Sequence, residues 1–267
     1  MTQISGKVIL AGAGPGDPGL ITLKALRYLQ QADVVICDRL VSPELVADNI
    51  KPVAILINVG KQAGTTFSTS QESINQLLVD YAKQYALVLR LKGGDVTFFS
   101  NVLEELRTLV EHGIQYEIVP GVTAASGAAA YAGIPLTARG YSSAVRFLTC
   151  HRSAVCPEHS WKELVETDDT LVFYMSSDAI DTLVEKLLDY GISPDKYLTI
   201  IEQATTPLQN VHLFSLKEYE KKMRGLRFTS PTIIIIGRVA ALHDEFQWIQ
   251  NSMASTCYFN PVVTLSK

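Results

Sequence analysis

Short apolar runs alternate along this chain with stretches whose leucines and valines recur at helical spacing, and that rhythm predicts its elements. Lys7-Val-Ile-Leu-Ala11 reads as a buried strand, Gly12 to Gly19 as a turn, and Leu20, Leu23, Leu26 and Leu29 as one face of a helix. Asp17 is expected to cap that helix, with Pro18 at its first position, where a missing N–H costs nothing. Ser42-Pro43-Glu44 repeats the signal. Further strands are expected over Asp33–Cys37, Val53–Asn58, Ala86–Leu91 and Gln115–Val119, with helices over Gln71–Lys83 and Leu103–Glu111. Strands alternating with helices make a parallel sheet the economical topology.

After an alanine-rich stretch, Gly133-Ile-Pro-Leu-Thr-Ala-Arg-Gly140 punctuates the chain, which sets the expected boundary between domains 1–138 and 139–249. The second half is richer in strands: Ala144–Thr149, Thr170–Met175, Tyr197–Glu202, Asn210–Ser215 and Thr232–Ile236, with a long helix over Asp178–Tyr190. Residues 250–267 carry no periodic pattern and are expected to form a loose tail.

Composition narrows the function classes. Of 267 residues, 47% are apolar and 19% charged, a balance that buries a core; 23 basic against 27 acidic side chains leave −4, which argues against nucleic acid as a partner. No apolar run approaches the roughly 18 residues that cross a bilayer, and no secretory leader is legible, so a soluble, cytoplasmic protein without a membrane partner is expected. Four cysteines in a chain of this length read as reduced thiols. Cys150, His151, Cys156 and His159 suit zinc by type, but adjacent Cys-His followed by a five-residue gap matches no usual ligand spacing, so no metal is expected.

Glycine-rich turns carry the chemistry. Gly12-x-Gly14 follows a strand, yet the third glycine of a dinucleotide fingerprint would fall on Asp17, and no Gly-Lys-Ser/Thr follows to make a phosphate loop. Arg90-Leu-Lys-Gly-Gly-Asp95 and Val119-Pro-Gly-Val-Thr-Ala-Ala125 also sit at strand ends. Ligands of open parallel sheets collect beyond the carboxyl ends of strands, so three such turns could frame one pocket.

In their order, Gly12-Ala-Gly-Pro-Gly-Asp-Pro18, Asp38-Arg-Leu-Val-Ser42, Val59-Gly-Lys61, Leu91-Lys-Gly-Gly-Asp95, Val119-Pro-Gly-Val-Thr-Ala124 and Ala132-Gly-Ile-Pro-Leu-Thr137 resemble the motifs of the uroporphyrinogen-III C-methyltransferases, in the tetrapyrrole methylase family. The likeness continues through Phe173-Tyr-Met175, Thr205-Thr-Pro207 and Ser230-Pro231 to Gly237. It implies an α/β fold of two domains, the first sheet mostly parallel and the second mixed, with S-adenosylmethionine in the cleft between them, and a homodimer. It also implies methylation of uroporphyrinogen III at carbons 2 and 7 to give precorrin-2 and S-adenosylhomocysteine, for sirohaem or cobalamin synthesis. The form matched is the single-function one.

Residue by residue, the resemblance implies Asp38 as proton acceptor, where the bland alternative is a turn cap or a partner of Arg39. It implies Lys61 as proton donor, against an ordinary surface lysine. Donor contacts fall on Pro15, Gly93, Gly94, Asp95, Phe98, Thr123, Ala124, Met175 and Ala204; Asp95 has a rationale of its own, because a carboxylate accepts from ribose hydroxyls or an ammonium. Met175 would otherwise be strand filler. A substrate with eight carboxylates calls for cations, and Arg39, Lys61, Arg139, Arg146 and Arg152 lie near loop ends.

The chain departs from the pattern at Val96, at Phe99-Ser-Asn-Val102 in place of Phe-Gly-Arg-Gly, at Ala138 and at Ser176. Two other outcomes therefore stand beside the leading one: a methylase of the same fold acting on another precorrin, and a cofactor-binding module without turnover.

Overall fold

The computed structural model describes residues 6–60, 69–150 and 158–259. These form two compact units, the first made of the described residues up to Ala124 together with Phe259, the second of those from Ala125 to Tyr258.

In the first unit five strands, β1 (Lys7–Gly12), β2 (Val34–Asp38), β3 (Ile55–Val59), β4 (Leu87–Lys92) and β5 (Gln115–Val119), form one sheet ordered β3-β2-β4-β1-β5. Every pairing is parallel. Its helices are α1 (Leu23–Gln31), α2 (Pro43–Asn49), α3 (Gln71–Ala82), α4 (Val102–Glu111) and the start of α5 (Ala124–Tyr131). Because side chains alternate along a strand, Ile9, Val35 and Leu89 join Ala25, Leu29 and Leu45 of α1 and α2. Val8, Leu10, Val34, Ile36 and Val88 pack instead on Ile74, Leu78 and Leu109 of α3 and α4. A sheet covered on both faces explains why β1, β2 and β4 read as nearly unbroken apolar runs.

The start of α1 differs from the sequence expectation. Asp17 accepts from the Gly19 amide at 2.7 Å and caps only a 3₁₀ turn at Pro18–Leu20, whereas Thr22 caps α1 by accepting from the Ala25 amide at 3.3 Å. Two caps in series let the chain turn once before it enters the helix.

The second unit holds β6 (Val145–Thr149), α6 (Glu158–Glu166), β7 (Thr170–Tyr174), α7 (Ile180–Asp189), β8 (Tyr197–Glu202), β9 (Asn210–Ser215), α8 (Leu216–Lys222), β10 (Thr232–Ile236) and α9 (His243–Phe246). Its sheet runs β6-β7-β10-β8-β9, with β6 and β7 parallel and the remaining pairs antiparallel, so it is mixed. Leu183, Val184 and Leu187 of α7 and Tyr219 of α8 pack on Leu171, Phe173, Leu198, Ile200 and Ile234 of this sheet.

The units divide after Ala124, earlier than the Gly-Pro punctuation near residue 138 suggested. The reason lies in α5. The Ala125 amide donates to the Tyr174 hydroxyl at 3.0 Å, the Ala132 carbonyl is 2.6 Å from Nδ1 of His243, and the Trp248 indole donates to the Ala130 carbonyl at 2.9 Å. An alanine helix offers little surface of its own, so these polar ties decide which body it joins. The segment after residue 249 is likewise no loose tail as far as Phe259. Asn251 exchanges hydrogen bonds with Val211, Asn210 holds Met253 and Ala254, Gln203 holds Thr256 and Tyr258, and Phe259 is buried. Periodicity misses it because polar side chains and backbone, not an apolar face, do the tying.

Candidate functional site

Strands β4, β1 and β5 are neighbours, so the turns after their carboxyl ends meet. They meet as bare backbone. A Cβ built on Gly121 would stand 2.3 Å from the Gly94 carbonyl oxygen and 2.8 Å from the Gly12 Cα; one built on Gly12 would stand 2.5 Å from the same oxygen. Gly94 lies in left-handed backbone, at φ 68, and pairs with Gly14 through reciprocal amide-to-carbonyl bonds of 2.7 and 3.1 Å. Three glycine turns thus share one rim, as the strand-end argument anticipated.

Asp95 clamps this rim. Its Oδ2 accepts from the Gly121 amide at 2.7 Å and its Oδ1 from the Thr97 amide at 2.7 Å and from the Thr97 hydroxyl, with the residue 6% exposed. Three of its four acceptor positions are therefore spent on holding the turn after β4 to the turn after β5. One is left for a ligand, so the direct contact expected from sequence is secondary to this structural one. Thr123 and Ala124 are half-buried beside the rim, Pro15 is buried, and Phe98 is half-exposed. A nitrogen of this rim, that of Ala124, lies 3.6 Å from where a Gly94 Cβ would be.

Beside the rim, within the same unit, lies a cavity of about 230 Å³ lined by Asp38, Arg39, Gly93 and Phe98 among others. The structure thus brings four sequence-predicted residues together. It adds three that sequence reasoning missed. Arg90 and Lys92 occupy alternate positions of β4 and so point to the α4 face, where Glu105 is fully buried. Arg90 donates from Nη2 to Oδ1 of Asp38 at 2.6 Å and from Nε to Oε1 of Glu105 at 3.0 Å, and its Nη1 lies on the Ile36 and Leu91 carbonyls at 3.3 and 3.4 Å. Lys92 donates to both Glu105 oxygens at 2.9 and 2.8 Å. The signal available beforehand was two cations spaced by two in an otherwise apolar strand. Such a pair must find a buried anion.

The four charges sum to zero, but their surroundings differ. Burial works against the charge on Arg90, yet Asp38 and Glu105 outweigh it and hold the guanidinium's pKa above its ordinary value. Burial, then repulsion from Arg90, brings the Lys92 ammonium below its ordinary value. Burial, with the Asp38 charge next door, pushes the Cys37 thiol up to about 12, so it is an inert core group. Asp38 alone of the four ions reaches solvent, its side chain being 27% exposed. Beside this cavity Arg39 carries a buried Nε with no hydrogen-bond partner among the described residues.

The departing segment lines the same cavity through Phe98, Phe99, Ser100 and Asn101. Left-handed backbone falls on Phe99 and Asn101, at φ 50 and 57, and not on Ser100 and Val102, where glycines are customary. Losing those glycines therefore costs no left-handed conformation here. Val96 is wholly buried and its carbonyl takes the Ser100 hydroxyl.

In the second unit Met175 and Ala204 follow β7 and β8, whose carboxyl ends flank the start of β10. Both sites sit in unusual backbone: Met175 has φ 52, and Gln203 and Thr205, either side of Ala204, have φ 47 and 68. Non-glycine residues rarely adopt these angles without being held there, here by the Gln203 amide on the Pro231 carbonyl and the Thr205 amide on the Gln209 side chain. Ser176, a departure from the pattern, is buried and takes the Cys150 amide at 2.9 Å while donating to the Tyr174 carbonyl, which ties β6 to β7.

Arg139 and Arg146 stand at the other end of this sheet. Arg139 lines a surface hollow with Arg238 and Asp169, and Arg146 is committed to Asp169 at 2.6 Å and to Glu163 at 3.9 Å. Within this unit the residues assigned to donor and to substrate do not share a rim. Lys61, Arg152, His151 and Cys156 lie outside the described residues. Among the described residues no group of three or more His, Cys, Asp or Glu is placed to hold a metal, and no helix is long and apolar enough to cross a membrane.

Comparison with known proteins extends this picture. The Tetrapyrrole (Corrin/Porphyrin) Methylases match residues 7–220. "Siroheme synthase" of Saccharophagus degradans is 46% identical over 244 residues, 91% of this chain and 53% of that protein, and "Siroheme synthase 3" of Aeromonas hydrophila is 48% identical over 247 residues, 92% and 52%. The chain thus spans about half the length of the curated relatives it matches. Among solved structures, uroporphyrin-III C-methyltransferase from Thermus thermophilus complexed with S-adenosylhomocysteine has a TM-score of 0.74 at 32% identity, covering 89% of this chain and 94% of that one. A cobalt precorrin-4 methyltransferase has a TM-score of 0.76 at 30% identity, covering 88% and 95%.

Proposed function

Because the chain belongs to the tetrapyrrole (corrin/porphyrin) methylases, we propose that it transfers methyl groups from S-adenosylmethionine to carbons 2 and 7 of uroporphyrinogen III, giving precorrin-2 for sirohaem synthesis. The observation that carries this is the rim where Gly12, Gly94 and Gly121 meet without side chains beside a cavity containing an arginine-held carboxylate. Backbone this bare lets a donor's polar atoms reach amides and carbonyls directly, and the residues fit such a group: Pro15, Gly93, Gly94, Phe98, Thr123 and Ala124 would hold it, Asp95 shaping the turn. Met175 and Ala204 join the same proposal on the resemblance, supported by the left-handed backbone at Met175 and on either side of Ala204.

When bound, the donor supplies an already activated sulfonium methyl. The chain's own work is then chiefly orientation, which can supply about 7–11 kcal/mol of a barrier, more than a general base usually does. Asp38 takes the proton that leaves the methylated ring: Oδ1 is fixed by Arg90, and Oδ2 has no hydrogen-bond partner among the described residues. Arg39, with its unpartnered Nε, receives a substrate carboxylate. Lys61 as donor of a proton, Arg152 as a carboxylate contact and the homodimer belong to the same proposal; Arg146, committed to Asp169, and Arg139, in the hollow beside it, do not.

The test is anaerobic incubation with labelled S-adenosylmethionine and uroporphyrinogen III. A doubly labelled tetrapyrrole is expected. Labelling of a later precorrin but not of uroporphyrinogen III would favour the reading supported by the likeness to the cobalt precorrin-4 enzyme. Tight binding of S-adenosylhomocysteine with no label on any tetrapyrrole would leave a binding module.

A further inference from the structure

Burying four ions is a poor way to gain stability, since well-packed apolar replacements are often neutral or better. The network around Arg90 therefore asks for another reason. A guanidinium has five N–H donors in one plane. With Nε anchored on Glu105 and Nη1 over the Ile36 and Leu91 carbonyls, rotation of that plane is stopped and Nη2 is left for Asp38. Lys92, pointing to the same face, is drawn away by both oxygens of Glu105. One buried carboxylate thus sets how much positive charge Asp38 meets and from which direction.

We propose that Glu105 is a positioning residue for methyl transfer, acting through Arg90 and Lys92 to aim the Asp38 carboxylate into the cavity and to set how much positive charge it meets. This rests on the reading of Asp38 as proton acceptor. Among the described residues, the charged and titratable groups facing Asp38 are Arg39 beside it, Arg90 and Lys92 from β4 and Glu105 from α4; the Cys37 thiol stays neutral, and β3 contributes Asn58 and Val59, which do not titrate. Neutralising Glu105 leaves Asp38 as the one carboxylate of this network facing both Arg90 and Lys92, with a net charge of +1, which makes it a weaker base. Removing the Lys92 charge does the reverse.

The experiment compares pH profiles of kcat/KM for the wild-type chain, Glu105→Gln, Lys92→Met, the charge-balanced pair of both, and Asp38→Asn. Glu105→Gln should move the acid limb to lower pH by roughly half a unit or more, short of the 1–3 units a directly contacting charge produces, and lower the plateau with little change in KM. Lys92→Met should move the limb upward, and the double variant should return it toward wild type. S-adenosylhomocysteine affinity should hold throughout. If Glu105→Gln does not fold, the upward limb of Lys92→Met and its return in the double variant still decide. Loss of stability with every limb unmoved, while Asp38→Asn abolishes turnover, overturns the role of Glu105 alone; normal turnover in Asp38→Asn overturns the reading beneath it.

Discussion

Gly121→Ala is the sharpest perturbation the rim allows, because the backbone angle of Gly121 suits alanine and the whole cost is collision. The new methyl would meet the Gly94 carbonyl oxygen at 2.3 Å, so that oxygen would have to retreat by roughly an ångström to reach ordinary contact. It cannot do so freely, since it also accepts the Gly14 amide at 3.1 Å, and Asp95 holds Gly121 from the other side. Overpacking of this kind costs about 1–3 kcal/mol, and a lost hydrogen bond adds about 0.5–1.5 kcal/mol. A total near 3 kcal/mol lowers the melting temperature by roughly 6–12 °C at the usual 2–4 °C per kcal/mol. Gly113→Ala, at the other end of β5, is the control: it has open space around it but φ 64, so its cost is conformational alone, roughly 1–2 kcal/mol. Melting curves of the two variants overlap in size, and titration calorimetry with S-adenosylhomocysteine separates them. Gly121→Ala should weaken binding about tenfold or more, equivalent to about 1.4 kcal/mol, and Gly113→Ala should leave it unchanged. Equal affinities in both would refute the idea that the bare rim is where the donor lies.

Asp38→Asn should cut turnover by about 10²-fold or more, the usual worth of a general base, while sparing donor affinity; steady-state rates beside calorimetry read both. The Lys24 ion pair, with hydrogen bonds from Lys7 and Tyr28, holds the Glu117 carboxyl at about 2. Its contribution to stability is fully present above the ordinary carboxylate range and is lost progressively as pH falls from there through about 2, so a carbon-detected NMR titration should find the folded-state midpoint at about 2, and Lys24→Met should raise it. Alkylation at mild alkaline pH, followed by peptide mapping, should label exposed Cys257 and spare buried Cys37, whose thiol lies near 12.

Much of this protein is local in origin. Apolar runs in β1 and β2, and in β4 apart from its two cations, announce a sheet covered on both faces, Ser42-Pro43 announces α2, and glycines at three strand ends announce a rim, because each depends on a few neighbouring residues and on the period of one element. The motif Leu91-Lys-Gly-Gly-Asp95 pointed to a ligand turn without revealing that Asp95 spends itself on Gly121, in the turn after another strand. Arg90, Lys92 and Glu105 escaped notice for the same reason: charge in an apolar strand looks like an exception until α4 brings the compensating carboxylate onto that face. Sequence reading placed the expected substrate contacts Arg139 and Arg146 in one site with the expected donor contact Met175, whereas the second sheet sets them at opposite ends. Composition and spacing settle what each segment becomes, since propensity and periodicity act within it. Which charges meet and which side chains face one cavity are settled only when strand order brings distant segments together, because electrostatic and packing energies depend on distance in space and not along the chain.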